Sequence, residues 1–386
     1  MTVTTTPFGL ILLIWCAGLG AAAQYGKISV VYDQLPDIYP LAGASLGFLV
    51  SLVGFVGIVF GVVAGLLVAR VGYRNALIWA LWGGAALSAL QAVLPPLPVM
   101  LGLRALEGAS HLALVVAAPT LIAQLSAPRH QGLTLTLWST FFGVSYTVLV
   151  WLGLPLVARF GLPSLFLAHA VWMGGLALIL GGALRSLPPG TRGAKLSFAS
   201  ILRDHLTIYR SPFIAAPAIG WLFYTFCFLA LLTLIPPYLP DDLRAPVLGA
   251  MPLVSIAVSM TLGVYLLRFV SAMAEILIGF ALTILCLLWL LAAPGLPVAC
   301  LALAAALGLV QGASFAVVPQ LNQTAVHQAQ ANGAIAQMGN VGNTLGTPVL
   351  AAVLSIAGYH GMIGLAAVVF TLGIAAHLWM AFRRRS

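Results

Sequence analysis

Charge is what this sequence has least of. Of its 386 residues, 6% are Asp, Glu, Lys or Arg, and only 7 are acids. An ordinary soluble domain carries about 25% charged residues. So few charges cannot cover a water-facing surface of this size, which excludes a soluble globular fold. With 62% hydrophobic residues, the covering must be lipid. Cysteine is also scarce. Cys16, Cys227, Cys286 and Cys300 lie in or beside apolar runs, without the CxxC or Cys/His spacing of a metal site, and read as small core residues. No nucleophile–base pair or metal set appears, which argues against an enzyme, and nothing calls for a cofactor. There is no G-x-x-x-x-G-K-[ST] stretch, which argues against ATP as the energy source. No basic residue precedes Lys27, so "GLGAAAQ" lacks the charged flank of a cleavable signal, and residues 8–34 read as a retained first span.

What the chain does have is long apolar runs. Twelve emerge, at about 8–34, 43–69, 75–94, 98–126, 132–158, 163–184, 213–238, 247–267, 271–293, 297–325, 333–357 and 361–381. They are too long for barrel strands and lack period-two alternation. The expected fold is an all-α polytopic membrane protein with twelve transmembrane helices. Residues 1–184 and 213–386 form two pseudo-symmetric six-helix bundles, and 185–212 is the linker. The net charge of +9 is dispersed between the runs, as a topology signal is, and not concentrated as on a nucleic-acid surface. With the N-terminus inside, Arg70, Arg74, Arg129, Arg185, Arg192, Lys195, Arg203, Arg210, Arg268, Arg383, Arg384 and Arg385 are cytoplasmic, and only Arg159 and Arg244 are outside. Both termini are therefore expected in the cytoplasm, in a bacterial inner (plasma) membrane, with the chain acting as a monomer. The linker stretch 197–210 reads as a tether or as an amphipathic surface helix.

Inside the fourth run lies "RALEGASH", residues 104–111. At 100° per residue Arg104, Glu107 and His111 fall within about 60° of one another. A charge facing lipid costs several kcal/mol, so this stripe should face protein or water. By the rise of a helix, Glu107 lies about 14 Å in from Pro98, and Lys27 lies about 13 Å from the outer end of the first span near Pro36. Lys27 and Glu107 thus stand at one level, with Arg104 and Asp33 nearer the outer edge. A network of Lys27, Glu107, Arg104 and Asp33 is expected, serving either as a substrate and proton path or as a structural tie. His111 reads as a hydrogen-bonded packing residue.

The halves echo each other. "EGAS" at 107–110 and "QGAS" at 311–314 are offset by 311 − 107 = 204, which puts Gln311 where Glu107 stands. "GLLVAR" at 65–70 and "GVYLLR" at 263–268 are offset by 263 − 65 = 198. At this point the chain resembles the major facilitator superfamily over its whole length. "GLLVARVGYR" is similar to that family's loop motif between spans 2 and 3 and matches it at Gly65, Arg70, Gly72 and Arg74. Ala69 stands at the usual Asp, and Tyr73 replaces a basic residue. "RALEG" resembles the span 4 motif Arg-x-x-Gln-Gly, with Glu107 at the Gln. The Gly/Pro motif of drug–proton antiporters is not evident in span 5.

The resemblance implies a rocker-switch transporter whose cavity is lined by spans 1, 4, 7 and 10. In that frame Trp221 and Tyr224 share a face of span 7 with Thr225 and Phe228, as core packing or as a cavity wall for a ring-bearing solute. Pro236-Pro237 should break that span near its outer end. Gln337 and Asn340 share a glycine-interleaved face of span 11 with Thr344 and Thr347, which is either a polar wall or a close helix contact. Gln320, Gln323 and His327 mark the inner end of span 10. Glu275 reads as an interfacial partner of Arg268. The expected function is secondary active transport of a small organic solute. Lys27 and Arg104 outnumber Glu107 by one charge and favour an anion, and protons are the expected coupling partner. The alternatives are a multidrug or metabolite efflux antiporter and a non-transporting sensor or scaffold.

Overall fold

The computed structural model describes residues 5–127, 130–185, 205–323 and 325–385. It gives only the backbone of residues 62, 63, 65, 66, 69, 70, 131–133, 136, 325, 326, 328 and 329. Arg129 and most of the expected linker, with Arg192, Lys195 and Arg203, lie outside the described residues. No strand occurs among the described residues. The helices are α1 (Phe8–Ser29), α2 (Leu35–Ile38), α3 (Leu46–Ser51), α4 (Phe55–Val71), α5 (Tyr73–Gln91), α6 (Leu97–Leu125), α7 (Gln131–Ser139), α8 (Phe141–Val148), α9 (Leu154–Phe160) and α10 (Pro163–Ala183). They continue as α11 (Ala215–Leu234), α12 (Asp241–Val258), α13 (Val264–Leu266), α14 (Ala272–Ala292), α15 (Pro297–Leu321) and α16 (Ala325–Arg383).

The helix boundaries follow local chemistry. Proline stands in the first turn of α6, α10 and α15, where its missing N–H costs nothing. Gly72 separates α4 from α5 at φ 91°, a conformation open to glycine and strained for other residues. α11 stops at Leu234, and Pro236–Tyr238 forms a 3₁₀ turn, the break its proline pair implies. α12 starts six residues before the expected span 8. Asp241 and Asp242 occupy its first turn, where the helix dipole favours acids, and Arg244 pairs with Asp241 at 2.8 Å. Short π-helical segments, Leu149–Gly153 and Ser259–Gly263, interrupt the spans that contain α8–α9 and α12–α13.

Among the described residues, ten stretches are long and apolar enough to cross a membrane. Two features separate that count from the twelve expected spans. α5, which opens on Tyr73, Arg74 and Asn75, is not among the ten. Gln330–Arg383 is one stretch of 54 residues, within which Gly358 at φ 66°, ψ −167° parts two helical segments. Large apolar side chains stand bare on the outside, Val171 at 74% and Phe382 at 70% exposure among them. A soluble monomer rarely shows such a surface, whereas lipid covers it at no cost.

The chain divides into two compact units, residues 1–31 with 52–195 and residues 32–51 with 196–386. In the first, α1 packs on α6, α8 and α10, and α5 packs on α6 and α10. Ile14 and Ala21 of α1, Leu81 of α5, Leu114 and Leu121 of α6 and Met173 of α10 form its core. In the second, α16 packs along α11 and α14, and α15 lies against α12 and α14. The α11–α16 contact is close. A Cβ on Gly342 would overlap Thr225 Oγ1, and one on Gly346 would overlap the Phe226 carbonyl. The glycine face of the expected span 11 is therefore a helix-contact face.

Gly346→Ala should lower the thermal unfolding temperature in detergent, because backbone must yield to the new methyl at a cost of about 1–3 kcal/mol. Gly364→Ala in the helical segment beyond Gly358, where a Cβ meets nothing within 4 Å, is the control and should not lower it. Equal melting of the two variants would contradict this packing.

Candidate functional site

Three ionisable side chains meet inside the first unit. Lys27 of α1 donates to Glu107 Oε1 at 2.6 Å, and Arg104 pairs with Glu107 Oε2 from one turn earlier on α6. All three side chains are fully buried. Glu107 thus bridges both cations, and Gln91 Nε2 of α5 adds a third donor at 2.8 Å. Lys27 also donates to Ser88 Oγ at 2.8 Å and lies 3.4 Å from His169 Nδ1 of α10. His169 Nε2 stands 2.9 Å from the Gly20 carbonyl, so that nitrogen is the donor and Nδ1 is the acceptor turned toward Lys27. Arg104 donates a further bond to the Gln24 carbonyl. Gln24 Nε2 donates to Ser110 Oγ at 2.8 Å, and Ser110 donates to the Ala80 carbonyl. The group draws polar atoms from α1, α5, α6 and α10.

Its formal charge is two cations less one carboxylate, or +1. Burying ions is expensive unless geometry and hydrogen bonds compensate, and here each charge has at least two partners. The stripe expected on span 4 turns into the interior of its own unit, toward α1, α5 and α10. His111 belongs to the same face. Its Nδ1 lies 3.0 Å from the Ala21 carbonyl, and Tyr25 packs edge-on at 5.0 Å. Asp33 does not join. α1 ends at Ser29, the chain enters a 3₁₀ turn at Tyr32–Gln34, and Asp33 is exposed with no ion pair among the described residues.

The family is decided by comparison with known proteins. The family model described as Major Facilitator Superfamily matches residues 10–346. The chain belongs to the major facilitator superfamily. The solved structure of a bacterial homologue of the human lysosomal transporter Spinster, in an inward-facing and occupied conformation, aligns with 97% of this chain and 96% of its own. The TM-score is 0.75 and the sequence identity is 13%. At that identity the likeness is one of fold, the superfamily's helical fold. No curated protein matches the chain in sequence. It is an integral membrane protein of a transporter family.

The remaining superfamily positions fall as follows. In the loop motif, Arg74 donates to the Gly181 carbonyl at 3.0 Å, at the C-terminal end of α10, and to its neighbour Asn75. Gly72 makes the turn, while Gly65 and Arg70 are described in backbone only. In the second unit Trp221, Tyr224 and Phe228 stack along α11, and Gln311 accepts from Tyr224 and Ser255. Gln337 is engaged elsewhere. It accepts from Tyr209 Oη at 2.8 Å and its Nε2 lies 3.1 Å from His205 Nε2, so it anchors the helical residues 205–210. Asn340 donates to the Ala336 carbonyl one turn back. Gln320 Oε1 accepts from the Ala272 backbone at the start of α14.

Glu275 is not paired with Arg268. It is fully buried beside Gly263 with no hydrogen bond on either carboxylate oxygen, and Arg268 is exposed across the gap between α13 and α14. A cavity of about 380 Å³ is a surface groove lined by Leu67, Val71, Trp79, Leu87 and Leu106, with Ser110 as its polar member. It holds no ionisable residue and is not the site.

Ser88, Gln91, His169, Gln24 and Ser110 were not among the expected site residues. The available signal was the presence of polar residues inside apolar runs, with Ser88 and Gln91 three apart and Gln24 three before Lys27.

The charge count orders two substitutions. Glu107→Gln leaves two cations without a counter-ion and should cost about 3–5 kcal/mol. Lys27→Met leaves the Arg104–Glu107 pair neutral and should cost less. Unfolding temperatures of the two purified variants in one detergent decide the point. A reversed order would show that net charge does not govern this group.

Proposed function

We propose that the chain is a proton-coupled secondary transporter of a small organic solute, with anions favoured. It would work by alternating access between two six-helix bundles, residues 1–184 and 213–386, joined by the linker 185–212. Counting α5 and dividing Gln330–Arg383 at Gly358 brings the ten candidate spans to twelve, the number this scheme needs. It would act as a monomer in a bacterial inner membrane.

The observation that carries the reading is the enclosed group of Lys27, Arg104 and Glu107 with its net charge of +1. Ionisable residues within spans are rare and mark solute or proton paths. The surplus charge here would be offset by an anion, or by loss of one proton from the group. The Lys27–Glu107 pair, at 2.6 Å, is the part of the group held across two helices and therefore the part a helix movement can separate. Parted from Lys27, Glu107 would take up one proton; rejoined, it would release that proton. Without a nucleotide-binding motif in the sequence, an ion gradient is the fitting energy source.

The test is accumulation in proteoliposomes with and without an imposed pH gradient. Wild-type protein should accumulate solute only with the gradient. Lys27→Gln with Glu107→Gln keeps the +1 sum and the hydrogen-bonding shape. The double variant should retain solute counterflow and lose gradient-driven accumulation about tenfold or more, a loss of about 1.4 kcal/mol of driving force. Gradient-driven uptake that persists in it would make the network a structural tie only.

Orientation is tested separately. A cysteine at Ser386, in a background without the four native cysteines, should resist a membrane-impermeant thiol reagent in intact cells and react after permeabilisation. Labelling before permeabilisation would place the C-terminus outside.

A further inference from the structure

Glu275 is a buried acid that the charged group of the first unit does not use. Its side chain is fully enclosed, and neither carboxylate oxygen has a hydrogen-bond partner. It stands in the first turn of α14, against the π-helical segment Ser259–Gly263. Gly263 makes the room for it. A Cβ there would lie 3.0 Å from Glu275 Oε1 and 3.5 Å from the Val258 carbonyl oxygen. The carboxyl and that carbonyl therefore border the same small space, which the glycine leaves open.

The elements packed around Glu275 bring no charge to match an ion. α14 lies on α15 and α16. The titratable side chain of α15 is Cys300, in its first turn, whereas Gln320 in its last turn meets the start of α14. α16 carries His327, Tyr359, His360, His377 and Arg383. Of these, His377 is set against α14, its ring 6.0 Å from that of Phe280. Tyr265 of α13 packs on Phe269, and Arg268 is exposed on the connection before α14. Among the described residues no cation pairs with Glu275. An enclosed carboxylate with neither a cation nor a donor is far more costly than a neutral carboxylic acid. The acid form also brings an O–H, and the Val258 carbonyl is an acceptor at the same space. A hard metal cation would want several more oxygens than these two groups supply.

We propose that Glu275 is a proton-binding site of the second unit, which holds its proton as a carboxylic acid while α14 lies against Ser259–Gly263 and releases it when the two part. Release delivers the proton to water and leaves a carboxylate, which the exposed Arg268 can then meet. The π-helical segment is the wall suited to move, since such segments break the regular backbone ladder and recur at functional sites. The assignment does not rest on the transport reading. Where that reading holds, it adds a protonatable carboxyl in the second unit to the one in the first.

Glu107 and Glu275 are the only glutamates in the sequence. The full chain, labelled with carbon-13 at the glutamate side-chain carboxyl and placed in lipid bilayers, therefore gives two glutamate carboxyl signals. Glu275→Gln, which has the shape of the neutral acid, removes one and so assigns it. At about pH 6, where an exposed glutamate is ionised, the Glu275 carbon should show the chemical shift of a carboxylic acid. It should move to the carboxylate position at higher pH. A carboxylate shift already at about pH 6 would overturn the site. A signal that answers to added sodium and not to pH would make it a metal-cation site and overturn the proposal too. Thermal unfolding of wild type and Glu275→Gln in one detergent, from about pH 5 to about pH 8, is the second measurement. The unfolded glutamate is ionised across that range, so a proton held in the folded state disfavours folding more as pH rises. Wild type should therefore fall by several degrees relative to Glu275→Gln. A constant gap, or a gain by wild type, would show a carboxylate in the folded chain and overturn the proposal.

Discussion

Glu107 is the one carboxylate between two buried cations, and the first unit is arranged around it. Charges in a membrane-spanning bundle are tolerated only with partners, and the partners must come from neighbouring helices. Here α1 supplies Lys27 and the Gln24 carbonyl, α5 supplies Ser88 and Gln91, and α10 supplies His169. These atoms fix how each helix is rotated. Apolar surfaces alone specify rotation weakly, because leucine packs on leucine about as well as on a lipid tail. A polar cluster that is satisfied in one arrangement only removes that freedom.

The second unit solves the same problem with shape. α11 and α16 approach until Gly342 and Gly346 lie against Thr225 and the Phe226 backbone. At such separations a one-residue shift along either helix would bring a side chain where only hydrogen fits. Along α11 itself Trp221, Tyr224 and Phe228 stack in register, with Tyr224 buried. Polar side chains that look alike in sequence therefore serve different ends. Gln311 is held by two hydroxyls beside the aromatic face, whereas Gln337 secures residues 205–210. The orphaned Glu275 belongs to neither scheme. Its carboxylate sits by Gly263 where the π-helical segment Ser259–Gly263 ends.

Span positions were legible because length, proline and glycine report them directly. The meeting of Lys27 with Glu107 was legible because both lie on continuous helix, where 1.5 Å per residue converts sequence into depth. Asp33 was misplaced by the same arithmetic. α1 ends at Ser29, and beyond a helix end the conversion fails. Glu275 and Arg268 fail similarly, since the chain breaks between α13 and α14. The start of α12 was missed because Asp241 and Asp242 read as loop, although acids suit a helix's first turn. Ser88, Gln91 and His169 stayed hidden for another reason. In a helix apolar on every side there is no polar face to read, so nothing in one span tells which neighbour it turns toward.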